Sequence, residues 1–517
     1  MQTLWVLAAS LAVLFIVKKL LEFQNTVKSI QNHPGFRNVL SPSGLFSFLP
    51  RIRGISLGRS IIADRYAPYE QFGVDIVSSV FAIPTTKPHY FIADATVIKE
   101  IMTARIKFPK PISLYKLLLF FGPNIVASER DEWKRYRKVS APAFTEPNNK
   151  LVWDETVHVV KDLFDNVWEN RKEVIYEHAL DITMPLALFV IGAAGFGRRI
   201  GWNDEMVAPP GHKLTFKDTL DIVSRGVLLK AALPTWALYA TKRTRAVKIA
   251  FEELELYMMD MINSRRSSEK KEDRDDLLTS LLDASEGDFD GFAKLTDREL
   301  LGNIFIFLIA GHETTAHTLC FALALLALYQ DEQERLYGEL MKAFPDGRTP
   351  TYEDINKLTY VECVLNETLR MFPPASNIPK FAAEDSSFVT TNAAGEKVVV
   401  PVPAGTGLSL HVSALHYNPR YWSEPYAFKP ARFLEDWPRD AFIPFSGGVR
   451  SCLGRRFAEL ESLVFLSMLV MQYKFIVKPE PQFANETFEQ RKERILKFTQ
   501  GITLTPVRVP LVFTRRD

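Results

Sequence analysis

The residues with the richest chemistry in this 517-residue chain stand together near its end: Phe445-Ser446-Gly447-Gly448-Val449-Arg450-Ser451-Cys452-Leu453-Gly454. A lone thiol serves as an iron ligand, as a nucleophile or as a small core residue, so its neighbours decide which. Gly448 and Gly454 carry no Cβ and let the backbone turn tightly and lie against a flat ligand. Arg450 brings a fixed positive charge suited to a carboxylate on such a ligand. The run from Arg455 through Tyr473 is apolar at helical spacing. It predicts a helix that starts just after Cys452, with N-terminal amides that favour a thiolate. The Phe, Gly, Arg, Gly frame around Cys452 fits a thiolate ligand to haem iron.

Further segments place polar groups where their surroundings are apolar. Ala310-Gly311-His312-Glu313-Thr314-Thr315 falls in the middle of a proline-free helical pattern from Asp297 to Tyr329 that opens with the capping box Thr296-x-x-Glu299. Gly311 there costs about 1 kcal/mol of helix stability relative to alanine, so something is expected to approach the backbone closely. A haem face with bound dioxygen would be such a neighbour. Glu367-Thr368-Leu369-Arg370 sets a carboxylate and a guanidinium three residues apart on one helix face, and Met371-Phe372-Pro373-Pro374 ends that helix. Trp133 and Arg137 share a face at i and i+4 within Trp133-Lys134-Arg135-Tyr136-Arg137-Lys138.

The decapeptide resembles the haem-binding loop of the cytochrome P-450 family, F-x-x-G-x-R-x-C-x-G, and matches it at every fixed position. Residues 310–315 are similar to that family's oxygen-activation segment, [AG]-G-x-[DE]-T-[TS]. Carried over by position, the resemblance implies that Thr314 hydrogen-bonds bound oxygen and that Glu313 helps deliver protons. The cofactor implied is haem b, with Cys452 as axial ligand to the iron and Phe445 and Arg450 against the ring and its propionates. The family's W-x-x-x-R helix, here Trp133 and Arg137, holds a propionate. Lys380, after Pro379, stands where many relatives have a further propionate-binding arginine, keeping the charge and losing the fork. In the family, E-x-x-R is interior and joined by an arginine from a P-x-R-F segment, here Pro430-Ala431-Arg432-Phe433, with Ala431 in place of the usual acid. Stranding one of three buried charges would cost ~3–5 kcal/mol, so Glu367, Arg370 and Arg432 are expected as a structural ion-pair network. His312 and His317 match no fixed family position and read as core or pocket-edge histidines.

The elements that must position these residues are mostly helical. Trp153 to Trp168, Arg245 to Ile262, Asp297 to Tyr329 and Tyr360 to Phe372 repeat apolar residues every three and four positions. Short β-like runs occur at Val74 to Val80, His89 to Ile92, Lys380 to Leu408 and Ile502 to Phe513. The fold class expected is α+β, mainly helical, and the resemblance implies the cytochrome P-450 fold with a long central helix and small sheets. Met184 to Gly197 is too short for a membrane span and reads as a core helix. Residues 264–277, charged with both signs, read as a solvated loop.

Hydrophobic residues make up 47% of the chain and charged residues 24%, a globular composition. With Lys plus Arg at 63 and Asp plus Glu at 61, there is no global drive toward nucleic acid. Three cysteines, Cys320, Cys363 and Cys452, argue against a disulfide framework, and the first two read as buried small residues. Met1 to Val17 has no charged side chain, and Lys18 and Lys19 follow at once. Seventeen helical residues reach roughly 25 Å, and a ~30 Å core is spanned once Leu20 and Leu21 join and the lysines snorkel. Charge after the apolar run puts the remainder in the cytosol. The organisation expected is an anchor at 1–22, a hinge or linker at 23–60 containing His33-Pro34-Gly35, Pro42 and Pro50, and a catalytic domain at 61–517. Asn366 and Asn485 satisfy the N-glycosylation pattern, which cytosolic placement leaves unused.

No Gly-rich dinucleotide fingerprint follows a strand, so electrons must come from another protein. The resemblance implies a single-pass protein of the endoplasmic reticulum membrane that inserts one atom of O2 into a lipophilic small molecule. It also implies NADPH as ultimate donor through a separate NADPH-cytochrome P-450 reductase, with cytochrome b5 as a further partner. Two pocket segments, Phe108 to Phe121 and Ile222 to Leu238, suit a lipophilic substrate arriving from the membrane side. Lys134, Arg135 and Lys138 with Arg455 and Arg456 suggest a basic patch for an acidic redox partner. Likeness to fungal microsomal members points to terpenoid or other secondary metabolism. Two other readings stay open: a reductase-independent haem-thiolate isomerase or dehydratase, and a non-enzymatic membrane haem or sterol binder.

Overall fold

The computed structural model describes residues 1–41, 49–58, 63–203, 207–267, 276–286, 294–392 and 394–517. In chain order the first elements are α1 (Gln2–Ser29), β1 (Gly35–Leu40), α2 (Ala67–Phe72), β2 (Ile76–Ile83), β3 (Pro88–Ile92) and α3 (Ala95–Thr103). The middle of the chain holds α4 (Arg130–Ser140), α5 (Glu146–Asp162), β4 (Glu173–Tyr176), α6 (Leu180–Phe196), α7 (Phe216–Ala232), α8 (Lys242–Ser267), α9 (Leu277–Glu286), α10 (Asp297–Leu328), α11 (Gln330–Ala343) and α12 (Thr359–Met371). The remainder holds β5 (Ile378–Phe381), β6 (Ser386–Thr391), β7 (Lys397–Val402), β8 (Gly407–Leu410), α13 (Val412–His416), α14 (Arg455–Gln472), β9 (Tyr473–Val477), α15 (Phe488–Ile495), β10 (Phe498–Gln500), β11 (Leu504–Pro506) and β12 (Leu511–Arg515). These contacts form two compact units, one of Met1–Pro111, Leu369–Ala427 and Asp436–Cys452, the other of Ile112–Thr368, Phe428–Glu435 and Leu453–Asp517.

The first unit is built on a mixed five-stranded sheet in the order β1-β2-β3-β8-β5. Alternation in β2 turns Val77 and Phe81 to one face, where they pack with Leu57, Tyr69, Phe91 and Ala414. The stretch 23–60, expected as a connector, instead carries the end of α1 and the edge strand β1, which pairs in parallel with β2. Its proline-poor sequence allows that, because β1 itself lacks proline. Residues 42–48 and 59–62 of that stretch, Pro42 among them, lie outside the described residues. No residue of α1 is buried, and Leu4, Trp5, Leu11, Leu14 and Phe15 are all exposed.

The second unit is helical around α10. Its capping box forms, with Thr296 Oγ1 accepting from the Glu299 amide and Glu299 accepting from the Thr296 amide at 2.8 Å. The helix is roughly 48 Å long and buried on nearly every side, the pattern of a core helix. Its neighbour α6 is buried too, so the apolar run at Met184 to Gly197 is core and not membrane. The three-stranded sheet β4-β12-β9 and the hairpin β10-β11 complete the unit. Residues 264–277 depart from the expected solvated loop at both ends. Helix α8 runs to Ser267, and Asp276 is buried, holding Arg265 at 2.8 Å and capping α9 through the Thr279 amide. Residues 268–275 lie outside the described residues.

Candidate active site

In the first unit residues 445–452 of the decapeptide form a closed loop. The Cys452 amide donates to the Phe445 carbonyl at 3.0 Å, and Gly448 to Arg450 make a short 3-10 turn. Gly448 has φ +64, the left-handed region that favours glycine, and Ser446 sits there too at φ +61. Gly454 is different: its φ is −83, which any residue adopts, so backbone torsion does not require glycine there. A Cβ on Gly447 would meet Met102 of α3 at 2.8 Å, so this loop packs hard against its own unit. Cys452 is exposed, whereas Cys320 and Cys363 are buried and their burial pushes both thiols up, Cys363 to about 12. Of the three, Cys452 is placed to be a ligand. Arg450 is half-buried beside it in sequence, and Lys380 is buried on β5, whose register pairs it with Leu408 of β8.

The first unit also receives Arg370. Fully buried, its guanidinium donates to the carbonyls of His416 at 2.8 Å, Pro425 at 2.9 Å and Ala427 at 3.3 Å. Glu367, three residues earlier on α12, is counted with the second unit, where Arg432 Nε meets its Oε1 at 3.2 Å and the Lys429 amide donates to the same oxygen at 2.9 Å. Backbone carbonyls thus share in satisfying a trio that sequence reasoning paired through charge alone.

The second unit presents the polar centre of α10. Between Glu299 and Leu328 every residue is buried except Phe307, Ala310, Gly311 and Thr314. These four recur at i, i+3, i+4 and i+7 and form one accessible stripe on an otherwise enclosed helix. Thr314 donates its hydroxyl to the Ala310 carbonyl at 2.8 Å, which leaves its oxygen as an acceptor on that stripe. Phe307 lies against Phe144, whose ring is 3.9 Å from where a Cβ on Gly454 would stand. The room made by Gly311 is taken by Ile191 of α6, at 3.0 Å from where its Cβ would be. A Cβ at 311 would press on α6, so helix packing favours glycine here.

Glu313 is turned inward. Burial pushes its carboxyl above the usual carboxylate range, opposed by the Thr503 hydroxyl, which donates to Oε1 at 2.7 Å. Thr503 in turn meets His317 Nδ1 at 2.9 Å. Sequence reasoning left His317 as a core histidine and did not reach Thr503; the available signal was the i, i+4 spacing of Glu313 and His317, which needs a partner from another element to join them. It also missed Glu461 of α14, a fully buried acid held well above its usual range by desolvation, with no hydrogen-bond partner among the described residues.

Trp133 of α4 is buried and the Arg137 guanidinium lies 5.8 Å from its ring centroid, so the pair shares a face as the spacing predicts. The basic patch is thinner than expected. Arg135 turns in to Glu299, Lys134 pairs with Asp131 at 2.8 Å, and Arg455 and Arg456 share Glu459. Of the pocket segments, Phe108 is core of the first unit against Phe388. Phe121 is buried in the second unit between Phe251 and Phe305, while Trp236 and Leu228 are exposed. A separate polar hollow of about 460 Å³, lined by Glu155, His158, Asp162, Asn166 and Arg199, contains none of these residues.

Each unit by itself carries groups whose chemistry suits a haem: the first has an exposed cysteine in a closed loop with the cations Arg450 and Lys380, and the second has Trp133 with Arg137 and an accessible stripe of small and apolar residues on a buried helix.

A family model described as Cytochrome P450 matches residues 78–505. Cytochrome P450 monooxygenase 124 of Postia placenta is 54% identical over 519 residues, with 100% of each chain covered. Cytochrome P450 monooxygenase AOL_s00215g278 of Arthrobotrys oligospora is 29% identical, covering 80% of this chain and 79% of its own. Among solved structures, the cytochrome P450DA heme domain superposes with a TM-score of 0.73 at 22% identity, over 94% of this chain and 98% of that one, a likeness of fold.

Proposed function

The chain belongs to the cytochrome P450 family and is a monooxygenase of that family; from that premise we propose that it inserts one atom of O2 into a lipophilic small molecule, at a haem b held by the Cys452 thiolate. When bound, haem supplies the redox centre at which dioxygen is activated. What this chain's residues contribute follows from their placement. Cys452 would supply the sulfur ligand, a thiolate favoured by the amides that follow it in sequence. Phe445 and Arg450 would lie against the ring and its carboxylates, and Trp133, Arg137 and Lys380 would hold the propionates. Glu367, Arg370 and Arg432 keep the fold around the cofactor and take no part in proton transfer. Thr314 offers an acceptor oxygen on the open stripe, and Glu313, whose carboxyl burial pushes above the usual carboxylate range, is a proton source beside it.

The observation that carries the reading is this pairing of an accessible Thr314 hydroxyl with a buried Glu313 carboxyl. An isomerase or a haem carrier consumes no protons with dioxygen and has no use for it. Electrons come from NADPH through a separate reductase in the endoplasmic reticulum membrane, where residues 1–22 anchor the catalytic body, with cytochrome b5 as a second donor. The exposed apolar length of α1 supports the anchor. The likeness to a fungal monooxygenase at 54% identity makes fungal secondary metabolites, terpenoids among them, the substrate field to test. The test is co-expression with a reductase and feeding of terpenoids, sterols and fatty acids under isotopically labelled dioxygen. A product carrying one labelled oxygen, formed only with NADPH, is the expected result; a rearranged product formed without reductase would overturn the proposal.

A further inference from the structure

We propose that Thr503 and His317 are positioning residues that fix which oxygen of Glu313 carries the proton. The inference rests on the reading of Glu313 as a proton source and adds two residues to it. Thr503 lies in the turn between β10 and β11 and is buried; His317 lies one helical turn beyond Glu313 on α10 and is buried as well. The Thr503 hydroxyl has a single hydrogen, and it points to Glu313 Oε1 at 2.7 Å. Toward the imidazole Nδ1, at 2.9 Å, the same hydroxyl can therefore only accept. Nδ1 then carries a hydrogen, and in the neutral ring that leaves Nε2 bare. Burial, reinforced by His312, His178 and Arg225 nearby, lowers His317 to about 3 and keeps that state across the physiological range.

The direction of this chain has a consequence at its far end. Oε1 of Glu313 is already an acceptor, while Oε2 has no hydrogen-bond partner among the described residues. A proton taken up by the carboxyl then belongs on Oε2, and the Thr503 anchor stops the group from exchanging its two oxygens by rotation. Without the anchor the oxygens become equivalent and the acid is no longer aimed. Hydrophobic packing of α10 against the hairpin would survive loss of the hydroxyl, so a merely structural role for Thr503 predicts none of the effects below.

The experiment uses the haem-loaded full chain and its Thr503→Val, Thr503→Ser, His317→Leu and Glu313→Gln variants. Infrared difference spectra identify the Glu313 carboxyl band as the one lost in Glu313→Gln. The band is expected to move to higher frequency in Thr503→Val, to stay in place in Thr503→Ser, and to broaden in His317→Leu, where the hydroxyl regains freedom to turn. Peroxide released per NADPH consumed is expected to rise about five-fold in Thr503→Val, the weight of one hydrogen bond, and to be restored by serine. If Thr503→Val does not load haem, His317→Leu carries the same comparison. A band unmoved by both variants overturns the proposal. If Glu313→Gln leaves product per NADPH unchanged, the proton-source reading falls by itself, and the infrared result still decides whether Thr503 holds the carboxyl.

Discussion

The amide of Cys452 donates to the carbonyl of Phe445 at 3.0 Å, and this one bond closes the decapeptide into a loop whose end is an exposed thiol. The bond is between backbone groups, so the side chain at 452 can change while the loop stays shut. Cys452→Ser is therefore expected to fold and to lose the thiolate-type carbon monoxide band together with all turnover. Circular dichroism, the carbon monoxide difference spectrum and product formation check this, and survival of either haem property would sink the ligand assignment.

Among the described residues the Thr314 hydroxyl bonds to its own helix, through the Ala310 carbonyl, and it sits on the accessible stripe. Thr314→Ala should leave the melting midpoint within about a degree or two, because a half-buried hydroxyl bonded back to i−4 contributes little stability. Product formation should fall by about 10²-fold, the usual weight of a positioned proton-transfer group. Parallel measurement of NADPH oxidation and product tells loss of coupling from loss of folding.

Glu367 is fully buried and takes both Arg432 Nε and the Lys429 amide on one oxygen. Glu367→Ala strands the Arg432 charge in a dry site and is expected to cost about 3–5 kcal/mol, enough to abolish haem loading in most preparations. Urea unfolding of whatever folded protein remains gives the number. A variant as stable as the parent would show that the pair is not structural.

His416 is buried in the first unit, accepting from the Ile443 amide on Nε2 at 3.0 Å and donating from Nδ1 to the Arg370 carbonyl at 3.1 Å. Burial, and then the Arg370 charge, lower it to about 3 from an ordinary 6.5. The folded value lies below the unfolded one, so the unfolded chain binds the extra proton. Stability from the neutral ring is complete above about pH 6.5 and is lost as pH falls toward the folded value. Each pH unit below 6.5 removes about 1.4 kcal/mol from this group. His416→Gln should flatten the dependence of Tm on pH between 7 and 5; an unchanged slope would assign the acid sensitivity elsewhere.

Residues 2–17 are exposed along α1 and contribute nothing to the core. Deleting residues 2–21 should move the protein from a carbonate-washed membrane pellet to the supernatant while leaving the carbon monoxide spectrum intact. Retention in the pellet would show that other apolar surface, Trp236 and Leu228 included, is sufficient for binding.

Much of this molecule is legible in one dimension because its rules are local. The capping box at Thr296 and Glu299, the helix that begins after Cys452, the shared face of Trp133 and Arg137 and the apolar α1 all depend on neighbours a few residues away, and sequence carries that information directly. What tertiary structure alone decided concerns partners far apart in the chain. Gly311 stands where Ile191, 120 positions earlier, leaves little space for a Cβ. Arg135, an apparent surface charge, turns to Glu299; β1 makes a presumed linker into a sheet edge; and Thr503 joins Glu313 to His317 across 190 and 186 residues. Periodicity records which face of an element is buried, and it is silent about what that face is buried against.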